Sequence, residues 1–234
     1  MTSAIGLFVR LGLPAPWQGR EDGFADKQKG ERGSPRAGPL VVYGAASAVG
    51  AYAIQLAKKA GIGPLICVAG RGISFVESLL DKSQGDTVID YRKGNDAVVQ
   101  GLKDAVSKTG GKLIYAFDAV SEHNSFQNLS QVLENPGGKI TLVLPGKDYS
   151  DIPKGIEQTL TQVGNAHNTQ TDFASAFYRL IIKWINEGSF KAHPHEVIPG
   201  GLNGVKQGLQ NLRDGKASAV KYVFRIGETK GISS

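Results

Sequence analysis

Apolar residues recur along this chain in two registers. Short unbroken runs at Leu40–Tyr43, Leu65–Ala69, Leu113–Phe117 and Ile140–Leu144, with a shorter one at Thr87–Ile89, read as buried strands, most of them rich in β-branched side chains. Between them apolar side chains return every three or four positions. Thr2–Leu13 puts Ala4, Leu7, Phe8 and Leu11 on one helical face, with Thr2 or Ser3 as N-cap. Val49, Ala53, Leu56 and Ala60 mark the helix after the first run, with Lys58 and Lys59 in its last turn and Gly61 as its stop. Further helices are expected over Ser74–Lys82 and Asp96–Ser107, and 135–138 reads as the turn between a helix and the fifth strand. Strands alternating with amphipathic helices predict an α/β fold, a doubly wound parallel sheet covered on both faces.

The last quarter has a different rhythm. Asp172 is placed to cap a helix carrying Phe173, Phe177, Leu180, Ile181, Trp184 and Ile185, stopped by Gly188. Pro194 and Pro199 mark a loop. A second helix carries Leu202, Val205, Leu209 and Leu212 and ends at Gly215. Val220–Ile226 alternates as a strand. This is a helix–strand tail on the main sheet. Residues 18–38 are polar, mixed in charge and without period, and read as a flexible loop.

The chemistry sits where the first strand meets its helix. Gly44, Ala45, Ala46, Ser47 and Ala48 follow Tyr43 directly. A strand, a tight turn of small residues and a helix N-terminus make a phosphate-holding device, because free backbone N–H groups and partial positive charge meet a ligand that can approach closely. In the G-x-G-x-x-G/A pattern the three positions fall on Ala45, Ser47 and Gly50, and only the last is glycine. The pyrophosphate is expected on Ala46, Ser47, Ala48, Val49 and Gly50, with the Ser47 hydroxyl donating to it. The plain alternative is a corner packed with small residues.

The second strand's end selects the nucleotide. NAD sites place an acid there for the ribose hydroxyls. Here stand Ala69, Gly70, Arg71 and Gly72, and no carboxylate appears before Glu77. Arg71 can grip a 2′-phosphate, and Tyr91 after the third strand can add a hydroxyl, so NADP is expected over NAD. The alternative for Arg71 is a cap on a surface turn. The nicotinamide end is expected beyond strands four and five, near Asp118, Ala119, Val120, Val143 and Leu144, since open α/β sheets bind ligands outside the carboxyl ends of their strands.

Composition narrows the classes. With 41% apolar residues in 234, the chain can bury a substantial core. No stretch has the apolar length of a membrane span, and MTSAIGLFVRLGL lacks the basic start and cleavage site of a signal peptide. A single cysteine, Cys67, excludes an internal disulfide and fits a reducing, cytoplasmic compartment. The net charge of +6 is scattered, without interleaved aromatics, so the expected partner is a small anionic ligand and neither nucleic acid nor membrane. Histidines stand at His123, His167, His193 and His195, and His193-Pro194-His195-Glu196 lacks supporting ligands, so no metal is expected. No Tyr is followed four residues on by Lys, the pair that short-chain dehydrogenases use.

With these features in place the chain resembles the medium-chain dehydrogenase/reductase superfamily, in its zinc-independent quinone oxidoreductase and fungal enoyl reductase branch. The resemblance rests on TSAIGLFVRLGLPAPW, VVYGAASAVGAYAIQLAKKAG, DTVIDYRKG, ENPGGKITLVL and GGLNGVKQGLQNLRDGKASAVKYVFRI. It implies a Rossmann domain binding NADPH and hydride transfer to an activated C=C bond or a quinone. It also implies that Thr2 and Ser218 line the nicotinamide end, and that Tyr91 matches the family's phosphate-side Tyr. Family members begin with a GroES-like catalytic domain, whereas this chain starts at the helix that follows it. The expected division is an N-terminal helix within 1–17, the loop 18–38, the NADP-binding domain 39–190 and a return segment 191–234 toward that catalytic domain. No catalytic acid is named. A non-catalytic NADPH-binding module or sensor stays open beside the enzyme, as do monomer and homodimer.

Overall fold

A computed structural model describes residues 1–17 and 38–231; the loop expected over 18–38 lies, but for Gly38, outside them. Six strands form one parallel sheet: β1 Leu40–Tyr43, β2 Leu65–Ala69, β3 Thr87–Asp90, β4 Tyr115–Asp118, β5 Lys139–Leu142 and β6 Glu157–Leu160. Their order is β3-β2-β1-β4-β5-β6, so the chain reverses direction across the sheet between β1 and β4. Tyr43 registers with Val68 on one side and Asp118 on the other. Alternation divides the core. Leu40, Val42, Leu65, Cys67 and Phe117 face α2 (Ala48–Lys59) and α6 (Thr171–Asn186). Val41, Ile66, Val68, Ala116 and Ile140 face α4 (Asn95–Lys108) and α5 (Ser125–Ser130). Period two with both faces covered explains why the strands read as continuous apolar runs.

The N-terminal segment opens as α1 (Thr2–Ala4) and continues as a π-helix over Ile5–Arg10. Ala4, Ile5, Leu7 and Leu11 are buried, and Phe8 stacks on Phe177 at 5.1 Å. Neither Thr2 nor Ser3 is the N-cap. Met1 holds that place, and the buried Ser3 hydroxyl donates to the Val49 carbonyl at 2.8 Å.

Several boundaries differ from the sequence reading, each for a local reason. The third helix, α3, spans Ile73–Glu77 and stops well before Lys82. Buried Asp86 accepts from Asp81 N at 2.9 Å and from Leu65 N at 2.8 Å, which draws the chain back to the sheet. Strand β5 ends at Leu142 because Val143 N donates to the Ser121 hydroxyl at 3.0 Å. Strand β6 and helix α5 have no clear apolar signature; Glu157 and Gln158 are exposed on the sheet's edge. In α6 the N-cap is Gln170, and Asp172 lies inside the first turn, where its charge suits the helix dipole.

The tail departs furthest. Only Lys221–Val223 forms a strand, β8, paired in parallel with β7 (His195–Val197). Three residues of β7 can order only three of β8. In α7 (Val205–Arg213) the buried residue is Gly208, against Phe224, while Leu209 and Leu212 are 61% and 52% exposed. The leucines set at helical spacing therefore face out.

Candidate nucleotide site

At the end of β1, Gly44 turns the chain with φ +74°, and Gly44 N and Ala45 N both donate to Val68 O at 3.1 and 3.0 Å. The glycine required here is Gly44, not the position given to Ala45. A Cβ on Gly44 would stand 2.4 Å from Val120 Cγ2, and φ in this region favours glycine. Ser47 caps α2 with extended backbone, its Oγ accepting from Gly50 N at 3.0 Å. That bond uses one of the helix's first-turn N–H groups and leaves the hydroxyl proton to give. A Cβ on Gly50 would stand 2.4 Å from Gly44 O, so this third position permits close helix–strand packing.

The second wall follows β2. Gly70 closes a turn onto Ile73 N at 3.1 Å, and a Cβ on Gly72 would stand 2.6 Å from Ala46 Cβ and 3.0 Å from Ala219 Cβ. Arg71 is exposed, and its Nη2 donates to the carbonyls of Gly215 and Ala217. Tyr91 stands over Gly70 from the end of β3. Asp90 sets that position by accepting from Arg92 N at 3.0 Å and from the Arg92 guanidinium, which pulls its carboxyl down to about 2.

The third wall comes from the tail. Ala217, Ser218, Ala219, Val220 and Lys221 close a cleft of about 420 Å³ with Gly44, Ala46–Ala48, Ala69–Gly72, Tyr91, Val120 and His193. His193 is 8% exposed, edge-on to Phe75 at 5.2 Å, and its Nδ1 has no partner among the described residues. Burial, aided by Lys221, lowers its pKa, so the ring is neutral near pH 7. Among the described residues no three His, Cys, Asp or Glu side chains cluster to hold a metal.

Ten of the residues singled out from sequence share this cleft: Ala46, Ser47, Ala48, Ala69, Gly70, Arg71, Gly72, Tyr91, Val120 and Ser218. Val49 and Gly50 lie behind the turn, and Thr2 sits in α1, outside the cleft wall. Asp118 is fully buried at the end of β4 and is no surface for a ligand. Its carboxylate accepts from Val120 N at 2.9 Å, Ser121 N at 2.8 Å and Ser125 Oγ at 2.5 Å. Burial raises its pKa against these bonds. Ala119 N donates to Tyr43 O at 3.0 Å. Val143 and Leu144 follow β5 beyond the cleft wall, and Leu144 O accepts from Tyr149. Sequence reasoning missed Gly44, His193, Ala217, Ala219, Val220 and Lys221. Only Gly44 carried a local signal, as the first residue after an apolar run.

Chemically, the cleft offers a capped helix N-terminus behind small residues, the Arg71 guanidinium, the Lys221 side chain and one phenol hydroxyl, with no carboxylate among the described residues that line it. That set suits a ligand bearing several phosphates.

No protein-family model matches the chain. It is 47% identical over 203 residues to the trans-enoyl reductase fsr4 of Gibberella fujikuroi, covering 87% of this chain and 56% of that protein. It is 30% identical over 200 residues to the trans-enoyl reductase ACTTS2 of Alternaria alternata, covering 81% of this chain and 55% of that one. The chain thus spans little more than half the length of either relative. Among solved structures, Vibrio vulnificus CurA in complex with NADPH superposes with a TM-score of 0.61 at 21% identity, covering 94% of this chain and 60% of that one.

Proposed function

We infer that this chain, a sequence relative of the fungal trans-enoyl reductases within the medium-chain dehydrogenase/reductase superfamily, is the NADPH-binding part of an enoyl reductase that passes hydride to an activated C=C bond. The observation that carries the reading is the composition of the cleft at the ends of β2 and β3. Arg71 and Tyr91 stand there, and no acid is among the described residues that line the site. An acid would repel a 2′-phosphate, whereas a guanidinium fork favours it. A Cβ on Gly70 would meet Tyr91, and one on Gly72 would meet Ala46 and Ala219, so these two glycines let the walls of the cleft pack closely.

NADPH, when bound, supplies the hydride. This chain's own part is to hold and orient it: Ser47 and the first turn of α2 on the pyrophosphate, Arg71 and Tyr91 on the 2′-phosphate, and the β4 end near the nicotinamide. The substrate proposed is a small molecule, an α,β-unsaturated thioester or a quinone. Among the described residues no helix is long and apolar enough to cross a membrane, and the reaction is proposed for the cytoplasm.

The test is calorimetric titration of the full chain with NADPH and with NADH, followed by turnover of NADPH with enoyl thioesters and quinones. Tighter binding of NADPH supports the cofactor reading, and preference for NADH overturns it. Binding without turnover would leave this chain a nucleotide-holding module.

A further inference from the structure

The turn that follows β4 is held in an unusual backbone shape by one buried carboxylate. Ser121 has φ 59°, and two residues further on His123 and Asn124 have φ 53° and 64°. Side-chain-bearing residues rarely adopt this region, and a run of them persists only where the surroundings dictate it. Here the surroundings are identifiable. Asp118 is fully buried and accepts from Val120 N, Ser121 N and Ser125 Oγ, tying both ends of the turn to the strand end. Ser121, also fully buried, donates its hydroxyl to Asp118 O at 3.3 Å and accepts from Val143 N at 3.0 Å, so the end of β5 is fixed by the same knot.

The knot has one visible product in the cleft. Val120 lies over Gly44, with Cγ2 2.4 Å from where a Cβ would be, and it lines the cleft wall. This is the place between β1 and β4 where the sheet order reverses, and ligands of open α/β sheets cross there. Arg71 and Tyr91 belong to the other end, beyond β2 and β3.

We propose that Asp118 is a positioning residue for the nicotinamide half of the site: its three hydrogen bonds hold the 119–121 turn in place, setting Val120 against the ligand without touching it. The proposal rests on the NADPH reading above. It differs from a general structural role because it predicts a loss confined to one half of the ligand.

The experiment uses the full chain and two ligands, NADPH and adenosine 2′,5′-bisphosphate, which carries only the adenosine end. Asp118→Ala should weaken NADPH about tenfold and the bisphosphate by less than about twofold, because an uncompensated buried donor pair lets the turn relax. Asp118→Asn, which keeps an oxygen for the two backbone N–H groups, should restore NADPH binding to within roughly threefold. Val120→Ala leaves the Asp118 bonds intact and should reproduce the selective loss, so the test stands if Asp118→Ala does not fold. Equal weakening of both ligands in the folded variants, or no weakening of either, overturns the proposal. A wild-type chain that binds neither ligand overturns the NADPH reading and this proposal with it.

Discussion

Tyr91 packs onto the backbone of Gly70: a Cβ at Gly70 would stand 2.5 Å from Tyr91 Cζ and 2.6 Å from its hydroxyl. Two strand ends are thus brought together by the absence of one side chain. Tyr91 is 48% exposed, so a methyl at Gly70 would swing the ring aside without breaking the fold. Gly70→Ala should therefore leave the melting temperature nearly unchanged and weaken NADPH by about three- to tenfold. Tyr91→Phe should match it, since both remove the same hydroxyl from the site. Undiminished binding in both variants would take Tyr91 out of the ligand's reach.

Arg71 bonds the tail from within the cleft. Its guanidinium reaches the carbonyls of Gly215 and Ala217, and it lines the cleft beside Gly70 and Gly72. Arg71→Ala should cost NADPH on the order of 1.5–3 kcal/mol, ten- to hundredfold in affinity, and leave NADH nearly unchanged. Parallel titrations decide. Equal losses for the two nucleotides would assign Arg71 to the tail loop alone.

The third small position of the turn makes a stability prediction. Gly50 faces backbone on every near side, Gly44 O at 2.4 Å and Ala45 Cα at 2.8 Å, and backbone yields poorly. Gly50→Ala should destabilise by about 1–3 kcal/mol in urea denaturation. Gly164→Ala has nothing within 4 Å of the new methyl and should be neutral or slightly stabilising. A neutral Gly50→Ala would mean that α2 and β1 can move apart freely.

His193 gives the protein a pH slope of definite sign. Burial, with Lys221 second, lowers its folded pKa, and its ring lies among Tyr52 and Phe75. The unfolded chain then binds more protons than the folded one as pH falls through about 6.5, so stability is full above that value and declines below it. Denaturation at pH 7.5 and 5.5 should show a smaller loss on acidification for His193→Phe than for wild type. A steeper loss in the variant would reverse the assignment.

The parallel sheet was legible because its four main strands are buried on both faces, and continuous apolar runs of that length have few other uses. The edge strand Glu157–Leu160 was not, since one exposed side dilutes its pattern. Local signals also located the walls of the cleft that lie within single turns, at Ala46–Ala48 and Ala69–Gly72. They misplaced the obligatory glycine by one residue: Gly44 has φ +74°, and a Cβ there would also meet Val120, which is distant in sequence. Asp118 read as a ligand contact on position alone; its burial is a property of the packed sheet. The leucines of α7 have the spacing of an inward face, yet spacing says nothing of whether a partner surface exists.

The wall formed by residues 217–221 reaches the cleft from the far end of the chain and leads into a two-stranded ribbon of three residues per strand. So small a ribbon has little stability of its own. A molecule lodged between it and the β1 turn fastens the chain's late residues to its early ones, as a removable clasp would, and closes a loop whose entropy grows only slowly with its length. Occupancy is therefore worth most to the part of the protein that is otherwise least secured. Backbone amides near Tyr222 should exchange with solvent more slowly when the clasp is shut, while those of Val42, deep in the sheet, should hardly register it.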